Sequence, residues 1–241
     1  MRRISFAFAV AAVVAAVVPA FAAGSLAGGP RLDPNHKITN STSTNWSGYA
    51  ATGTTFTSIS SSWTEPTVIC NFGTAYSSFW VGLDGYNSST VEQTGTDADC
   101  SSANIAQYYA WYEMYPKFPV DLSNPVSPGD SMSASVTTDR VGRFTLTISD
   151  STQGWTVNTT QRLKSASVSS AEVIAEAPSS RSGVLPLANF GTVNFGTSNA
   201  NNVSLASFRP DGITMASGST TKAQPSGIAG DGSFSVTWKH Q

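Results

Sequence analysis

The chain has 241 residues, 13 basic and 15 acidic, with a formal net charge of −2, and only 12% of its residues are charged. No Lys/Arg cluster or basic patch stands out, which argues against nucleic acid or anionic lipid as a partner. Serine and threonine carry the solubility instead. With few salt bridges to lose on protonation, stability is expected to depend only weakly on pH, which would suit an acidic exterior.

The N-terminus runs Met1-Arg2-Arg3, then almost wholly apolar from Ile4 to Val18, then Pro19-Ala20-Phe21-Ala22. A basic start, an apolar middle and a small-x-small ending read as a secretory signal over residues 1–22, cleaved after about Ala22. A membrane anchor is the alternative, but the run is short of the roughly 20 residues a span needs. Loss of Arg2 and Arg3 would leave 11 basic against 15 acidic groups, a net charge of −4. Residues 23–44 are rich in glycine, proline and polar residues without periodicity, and read as a flexible lead-in or a short propeptide. Residues 45–241 then form one domain, within the range of a single large all-β unit.

Strand patterns fill that domain. Ala51 to Trp63 alternates and is rich in β-branched residues. Ser78 to Asp97 holds two short strands around a turn, with Trp80, Gly82 and Asp84 on one side of the first. Val91, Gln93, Gly95 and Asp97 share a side of the second, and the alternation aims Glu92 away from Gln93. Ile105 to Tyr115 is an aromatic strand stopped by Pro116 and Pro119. On it Tyr109, Trp111, Glu113 and Tyr115 share one face, with Tyr112 and Met114 opposite. Ser131 to Thr138 and Arg143 to Ser149 read as a hairpin around Asp139-Arg-Val-Gly142. Strands are also expected at Trp155–Thr159, Val168–Ala177, Val184–Phe190, Val203–Phe208 and Ser233–Trp238. On the second of these Glu172, Ile174 and Glu176 share a face. Beyond the N-terminal segment no stretch has a sustained helical period, although Ala188 to Gly191 could hold one helical turn. Such runs, parted by Gly/Pro/Ser/Asn turns, predict an all-β antiparallel sandwich of two curved sheets, of the concanavalin or lectin-like jelly-roll kind.

Cys70 and Cys100 are the only cysteines. In an exported chain they predict one disulfide, which would tie the entrance and exit of the Ser78–Asp97 stretch together.

Absences narrow the chemistry. The only histidines are His36 in the lead-in and His240 near the end, so a Ser-His-Asp or Cys-His apparatus is not expected. Asp-Thr-Gly and Asp-Ser-Gly, metal-ligand clusters, phosphate loops and dinucleotide fingerprints are missing as well, and no metal or cofactor is expected. Carboxylates, amides and aromatics remain. Lined up across a curved sheet, the three polar faces would form an aromatic-walled groove for a peptide or a sugar chain. Taken singly, Trp80, Trp111 and Tyr115 read as packing residues. Glu113 reads as a solvated residue pairing with Lys117, and Glu172 as an exposed strand start. Glu176 has only small or apolar neighbours, so its pKa should rise if it is buried, as in a functional acid or base.

Five blocks in order resemble the glutamic peptidases, the eqolisin family (peptidase family G1), in a bacterial-type secreted form. They are Asn45-Trp-Ser-Gly-Tyr49, Phe79-Trp-Val-Gly-Leu-Asp-Gly85, Gln93-Thr-Gly-Thr-Asp97, Ala110-Trp-Tyr-Glu-Met-Tyr-Pro116 and Ala171-Glu-Val-Ile-Ala-Glu176. The resemblance implies an acid endopeptidase with Gln93 and Glu176 as its catalytic pair. It implies Trp46 and Trp80 as cleft residues, and Asp84, Asp97, Trp111, Glu113 and Tyr115 as substrate-binding or supporting groups. Four positions depart from the family pattern. Tyr109 stands where the family usually has an aspartate, so one acid of the supporting network is expected to be missing. Val173 replaces a tryptophan, and Ala177-Pro178 replaces an Asp-Phe pair.

A glutamate can act as base in acid where a histidine would be protonated. The leading expectation is therefore a secreted, monomeric acid endopeptidase acting on polypeptides, free of the membrane once its signal is removed. Two alternatives stand beside it. One is a β-sandwich glycoside hydrolase using Glu113 and Glu176. The other is a non-catalytic, lectin-like carbohydrate-binding module with tryptophan stacking platforms.

Overall fold

The computed structural model describes residues 42–241. The signal segment and most of the lead-in lie outside the described residues. The end of the lead-in is part of the fold, since Thr42–Ser43 pairs in parallel with Thr214 and Met215.

Thirteen strands of four or more residues form the architecture. They are β1 (Trp46–Ala51), β2 (Ser58–Thr64), β3 (Ser78–Leu83), β4 (Val91–Cys100), β5 (Ala106–Tyr115), β6 (Ser131–Thr138) and β7 (Arg143–Asp150). After them come β8 (Trp155–Arg162), β9 (Ala171–Glu176), β10 (Thr192–Phe195), β11 (Asp211–Ser217), β12 (Thr220–Pro225) and β13 (Phe234–Trp238). The front sheet runs β11-β1-β9-β3-β4-β5, antiparallel throughout. The back sheet runs β8-β7-β6-β2, then through β10, β13 and β12 to β11. Strand β11 belongs to both sheets. Its first residues pair with β1 and its last with β12, and the register shifts between Met215 and Ala216. A bulge of this kind lets one strand turn from one sheet into the other.

Alternation sorts the side chains as a sandwich requires. Phe79, Val81 and Leu83 of β3 and Val173 and Ala175 of β9 point inward. They meet Met132, Ala134 and Val136 of β6 and Phe144, Leu146 and Ile148 of β7 in the main core. The opposite face of the front sheet carries a second apolar cluster built from Trp46, Trp80, Val91, Trp111, Ile174 and Ile213. Cys70 and Cys100 are bonded, with Cα atoms 5.3 Å apart, and close the end of β4 onto the loop before β3.

Several expectations change. Ala51–Trp63 is two elements with a break at residues 52–57, and Val184–Phe190 is mostly irregular. The one short helical element among the described residues is a 3-10 turn at Leu205–Phe208, where a strand was expected, and not at Ala188–Gly191. Strand β1 up to its last residue, and strands β10, β11 and β12, had no sequence-based strand counterpart. Burial of acids bears on the expected weak pH dependence. Glu65, Glu92 and Glu172 are almost wholly removed from solvent, and their titration belongs to the fold itself.

Candidate active site

The front sheet's register arranges the polar residues in rows. One row runs Trp46, Glu176, Ser78, Asp97 and Tyr109 across β1, β9, β3, β4 and β5. Two residues along each strand lie Gly48, Ile174, Trp80, Gly95 and Trp111. A third row holds Ala50, Glu172, Gly82, Gln93 and Glu113. All three rows project to the face away from the main core, because same-face neighbours repeat every second residue.

Glycine spacing lets Trp80 lie flat in the middle row. A Cβ on Gly82 would come within 2.9 Å of the Trp80 ring, and one on Gly95 within 2.6 Å of its Cβ and 2.2 Å of the Phe79 carbonyl oxygen. The indole occupies the lane those residues leave clear. Its Nε1 donates to Glu176 Oε2 at 2.8 Å, and its ring meets that of Trp46 edge-on with centroids 5.0 Å apart. Asn45 Nδ2 donates to Glu176 Oε1 at 3.1 Å. Both carboxylate oxygens of Glu176 are thus held by N–H donors, an arrangement suited to an ionised carboxylate, which only accepts. The loop ending at Asn45 is itself set by Ser43, whose Oγ accepts from the backbone N–H groups of Asn45 and Trp46.

Gln93 is 6% exposed and donates through Nε2 to Glu113 Oε2 at 2.6 Å. An acceptor on that side orients the amide and leaves its second N–H and its carbonyl oxygen for other partners. Gln93, Glu113, Glu176, Trp46, Trp111 and Ser78 line one small pocket of about 20 Å³. That is room for roughly one water molecule. Glu113 is therefore a buried partner of Gln93, not a solvated residue pairing with Lys117. Tyr115 packs against the outer apolar cluster with Trp111.

Asp84 sits elsewhere. Its backbone turns left-handed after β3 (φ 67°), and its carboxylate accepts from the N–H groups of Ser167, Val168 and Ser169 at 2.7–2.9 Å. It anchors the loop leading into β9 and supports the site only through that strand. Glu172 is fully buried next to this anchor. Burial pushes its carboxyl well above the usual range, and the charges of Asp84 and Glu92 add to the shift. Glu92 faces away from Gln93, as alternation requires. Its carboxyl is pushed up to about 9, by burial first and then by the charge of Asp84.

Asp97 accepts from Ser78 Oγ at 2.9 Å and contacts the Tyr109 hydroxyl at 3.1 Å. The same hydroxyl reaches Asp99 at 2.8 Å. The acid expected to be missing at Tyr109 is thus matched by another, Asp99, two residues beyond Asp97 on the same face of β4. Sequence reasoning passed over both Asp99 and Asn45, although alternation from Gln93 and Asp97 marks the first. Among the described residues no group of three or more His, Cys, Asp or Glu side chains is placed to hold a metal ion.

Known proteins share this framework. The crystal structure of scytalido-glutamic peptidase with a transition state analog inhibitor superposes with a TM-score of 0.71, covering 81% of this chain and 98% of that one at 24% identity. Aspergilloglutamic peptidase from Aspergillus niger gives a TM-score of 0.57 at 27% identity over 68% of this chain and 99% of that one. In sequence, aspergillopepsin-2 of Aspergillus niger is 30% identical over 180 residues, which span 64% of this chain and 62% of the relative. The Peptidase A4 family pattern matches residues 44–238, all but the last few residues of the described fold. This chain belongs to the Peptidase A4 family, the eqolisin or glutamic peptidases.

Proposed function

We propose that the protein is an exported acid endopeptidase in which Glu176 and Gln93 are the catalytic pair. The observation that carries this reading is the single-water pocket onto which both side chains open, with Glu176 gripped by Asn45 and Trp80. Glu176 takes a proton from a water poised against the scissile carbonyl and returns it to the leaving amine. The free N–H of Gln93 donates to the oxyanion of the tetrahedral intermediate, a contribution of about 3 kcal/mol for one such donor. Glu113 positions the amide. Trp46 and Trp111 wall the pocket, and the chain binds polypeptide as substrate. The family membership and the relatives named peptidases support the reaction class. The N-terminal sequence pattern supports export, and a monomer is the expected form.

The glycoside hydrolase alternative loses its second acid, because Glu113 is engaged by Gln93. The lectin-like alternative is not favoured either, since Trp80 is fully buried and offers no stacking platform. Digestion of a denatured protein at about pH 3 to 4, around the ordinary glutamate titration, tests the proposal. Cleavage that persists with a pepstatin-type inhibitor and with a chelator is expected. Release of reducing sugar from polysaccharides without any peptide cleavage would overturn it.

A further inference from the structure

A second cavity, of about 500 Å³, lies apart from the catalytic pocket. Val184, Leu185 and Pro186 give it an apolar lining, and Thr220, Lys222 and His240 a polar one. That volume is in the range of small-molecule sites. Register explains why a lysine stands there. Met215 opposes Ala223 and Ala216 opposes Thr221, so Lys222 is the extra residue of a β-bulge in β12. Bulges re-aim a side chain and gather beside functional sites. The Lys222 carbonyl accepts from the N–H groups of Lys239 and His240 at 2.7 and 3.1 Å, which closes the residues after β13 onto it.

Lys222 is 7% exposed, too little for a lysine whose stem packs while its ammonium stands in bulk water. Among the described residues its side chain has no hydrogen bond or ion pair. Burial alone holds its pKa below the ordinary value. The side-chain atoms sealed from solvent without a partner do not include Lys222 Nζ, so the ammonium opens onto the cavity that Lys222 lines. No acidic side chain is among the lining residues, and the Gln241 main-chain oxygen lies 3.0 Å from His240 Nδ1. An ammonium offers three donors and no acceptor. Held out of bulk water without a counter-charge it costs stability, and a bound anion relieves that cost.

We propose that this cavity binds a carboxylate, with Lys222 as its counter-ion and Val184, Leu185 and Pro186 receiving an apolar group joined to it. One lysine beside an apolar lining suits a singly charged group with an apolar body. A phosphate calls for more donors or an arginine fork. Such a carboxylate occurs at the end of a polypeptide and on free organic acids. A hairpin favours the first source. Ser179–Ser180 pairs with Gly183–Val184, and the Leu185 N–H donates to the Pro178 carbonyl at 2.9 Å. The base of this hairpin gives Pro178 and Ser179 to the catalytic pocket and Val184 and Leu185 to the second cavity. Peptide hydrolysis releases a new carboxylate end beside that shared wall. Only this choice of source rests on the peptidase reading above.

The test uses the full chain at about pH 5, above the titration of an ordinary α-carboxyl, and follows the NMR signals of Lys222 and the Leu185 methyls as ligand is added. N-acetyl-leucine carries the carboxylate and an apolar side chain. Its amide lacks only the charge, isocaproate lacks only the acetamido group, and acetate lacks the apolar body. N-acetyl-leucine should shift both residues saturably and bind at least about tenfold tighter than the amide or acetate, the scale of one hydrogen bond to a charged group. Lys222→Met keeps the stem and should lose that preference with an unchanged circular-dichroism spectrum. Isocaproate binding as tightly as N-acetyl-leucine assigns the site to free organic acids, and weaker binding assigns it to peptide ends; the carboxylate site stands in both. No saturable shift, equal binding of the amide or acetate, or full binding by Lys222→Met overturns it.

A second readout needs no variant. A bound carboxylate favours the charged ammonium, so the titration of Lys222 in the parent chain moves up with N-acetyl-leucine present and stays in place with the amide. A titration that N-acetyl-leucine leaves unmoved overturns the proposal, even where Lys222→Met fails to fold. Peptide hydrolysis by the same preparation separates the two readings. A working peptidase in which Lys222 ignores carboxylates overturns the second site and leaves the catalytic pair standing. Carboxylate binding in a chain that hydrolyses no peptide overturns the peptidase reading instead.

Discussion

At the scale of single residues, the site depends on how Glu176 is held. Its two oxygens take one N–H each, from the Trp80 indole at 2.8 Å and the Asn45 amide at 3.1 Å. Hydrogen bonds to a charged group contribute about 1.5–3 kcal/mol each. Trp80→Phe keeps the ring in its lane but removes the indole donor. The expected result is a fall in kcat/KM of about tenfold to a hundredfold with an unchanged circular-dichroism spectrum. Undiminished activity in that variant would show that the indole only packs. Part of this was legible in the sequence, because alternation assigns Gln93, Glu113 and Glu176 each a face of its own strand and the family resemblance pairs Gln93 with Glu176. What strand periodicity could not convey is which neighbour each acid meets. Glu113 meets Gln93 and not Lys117, because the pairing of β4 with β5 sets its partner. Asp84 leaves the pattern because a left-handed residue ends β3 and swings its carboxylate onto the loop before β9.

At the scale of elements, β3 and β4 are bound to each other through the absence of side chains. Gly95 lies opposite Trp80, and a Cβ there would meet the Phe79 carbonyl oxygen at 2.2 Å and the Trp80 Cβ at 2.6 Å. Backbone cannot yield as a flexible side-chain tip can, so Gly95→Ala must push the strands apart or tilt the indole. Chemical denaturation should show a loss of about 1–3 kcal/mol, the range for overpacked sites, and the peptidase activity should fall more than stability alone explains. A variant as stable and active as the parent would contradict this packing. The strands that sequence reasoning missed at the end of the chain have a common physical reason. Strands β11 and β12 contain Gly212, Lys222 and a terminal proline, and their burial alternates weakly. They are strands because β1 and β13 offer them partners, a tertiary cause that local propensity does not carry.

Across the whole molecule, charge is scarce in the sequence and part of it is held inside. An ion pair of Arg143 with Asp139 lies on the surface. Besides Glu113 in the pocket, Glu65, Glu92 and Glu172 are buried. Burial pushes Glu65 up to about 8, against hydrogen bonds from Thr96 and Trp63 that pull it down, and pushes Glu92 up to about 9. Glu172 rises well above the usual carboxylate range for the same first cause. Each holds a proton in the folded chain that the unfolded chain releases near pH 4.5, the ordinary value for the group. The folded state therefore binds more protons above that pH, so stability is fully present below it and falls as the pH rises toward 8 and 9. The slope is up to about 1.4 kcal/mol per pH unit for each group. Thermal unfolding should give its highest midpoint in acid and a falling one through neutrality, with Glu92→Gln flattening the decline. A midpoint that rises from pH 4 to 8, roughly the window between the two states' titrations, would contradict it. Surface composition alone led to the expectation of a weak pH dependence, because composition counts charges without showing which are buried. Glu65 gives no pattern by which sequence could have found it.

The most direct measurement of the central claim is kcat/KM for peptide hydrolysis in acid, compared among the parent, Glu176→Gln and Gln93→Ala. With Glu176 as base and Gln93 as oxyanion donor, Glu176→Gln should lose at least about a thousandfold, in the range of general-base catalysis. Gln93→Ala should lose about a hundredfold to a thousandfold, as for one oxyanion donor, with both proteins folded and KM little changed. Either variant retaining activity within about tenfold of the parent, a barrier change under roughly 1.4 kcal/mol, would contradict the assignment of that residue to the catalytic pair.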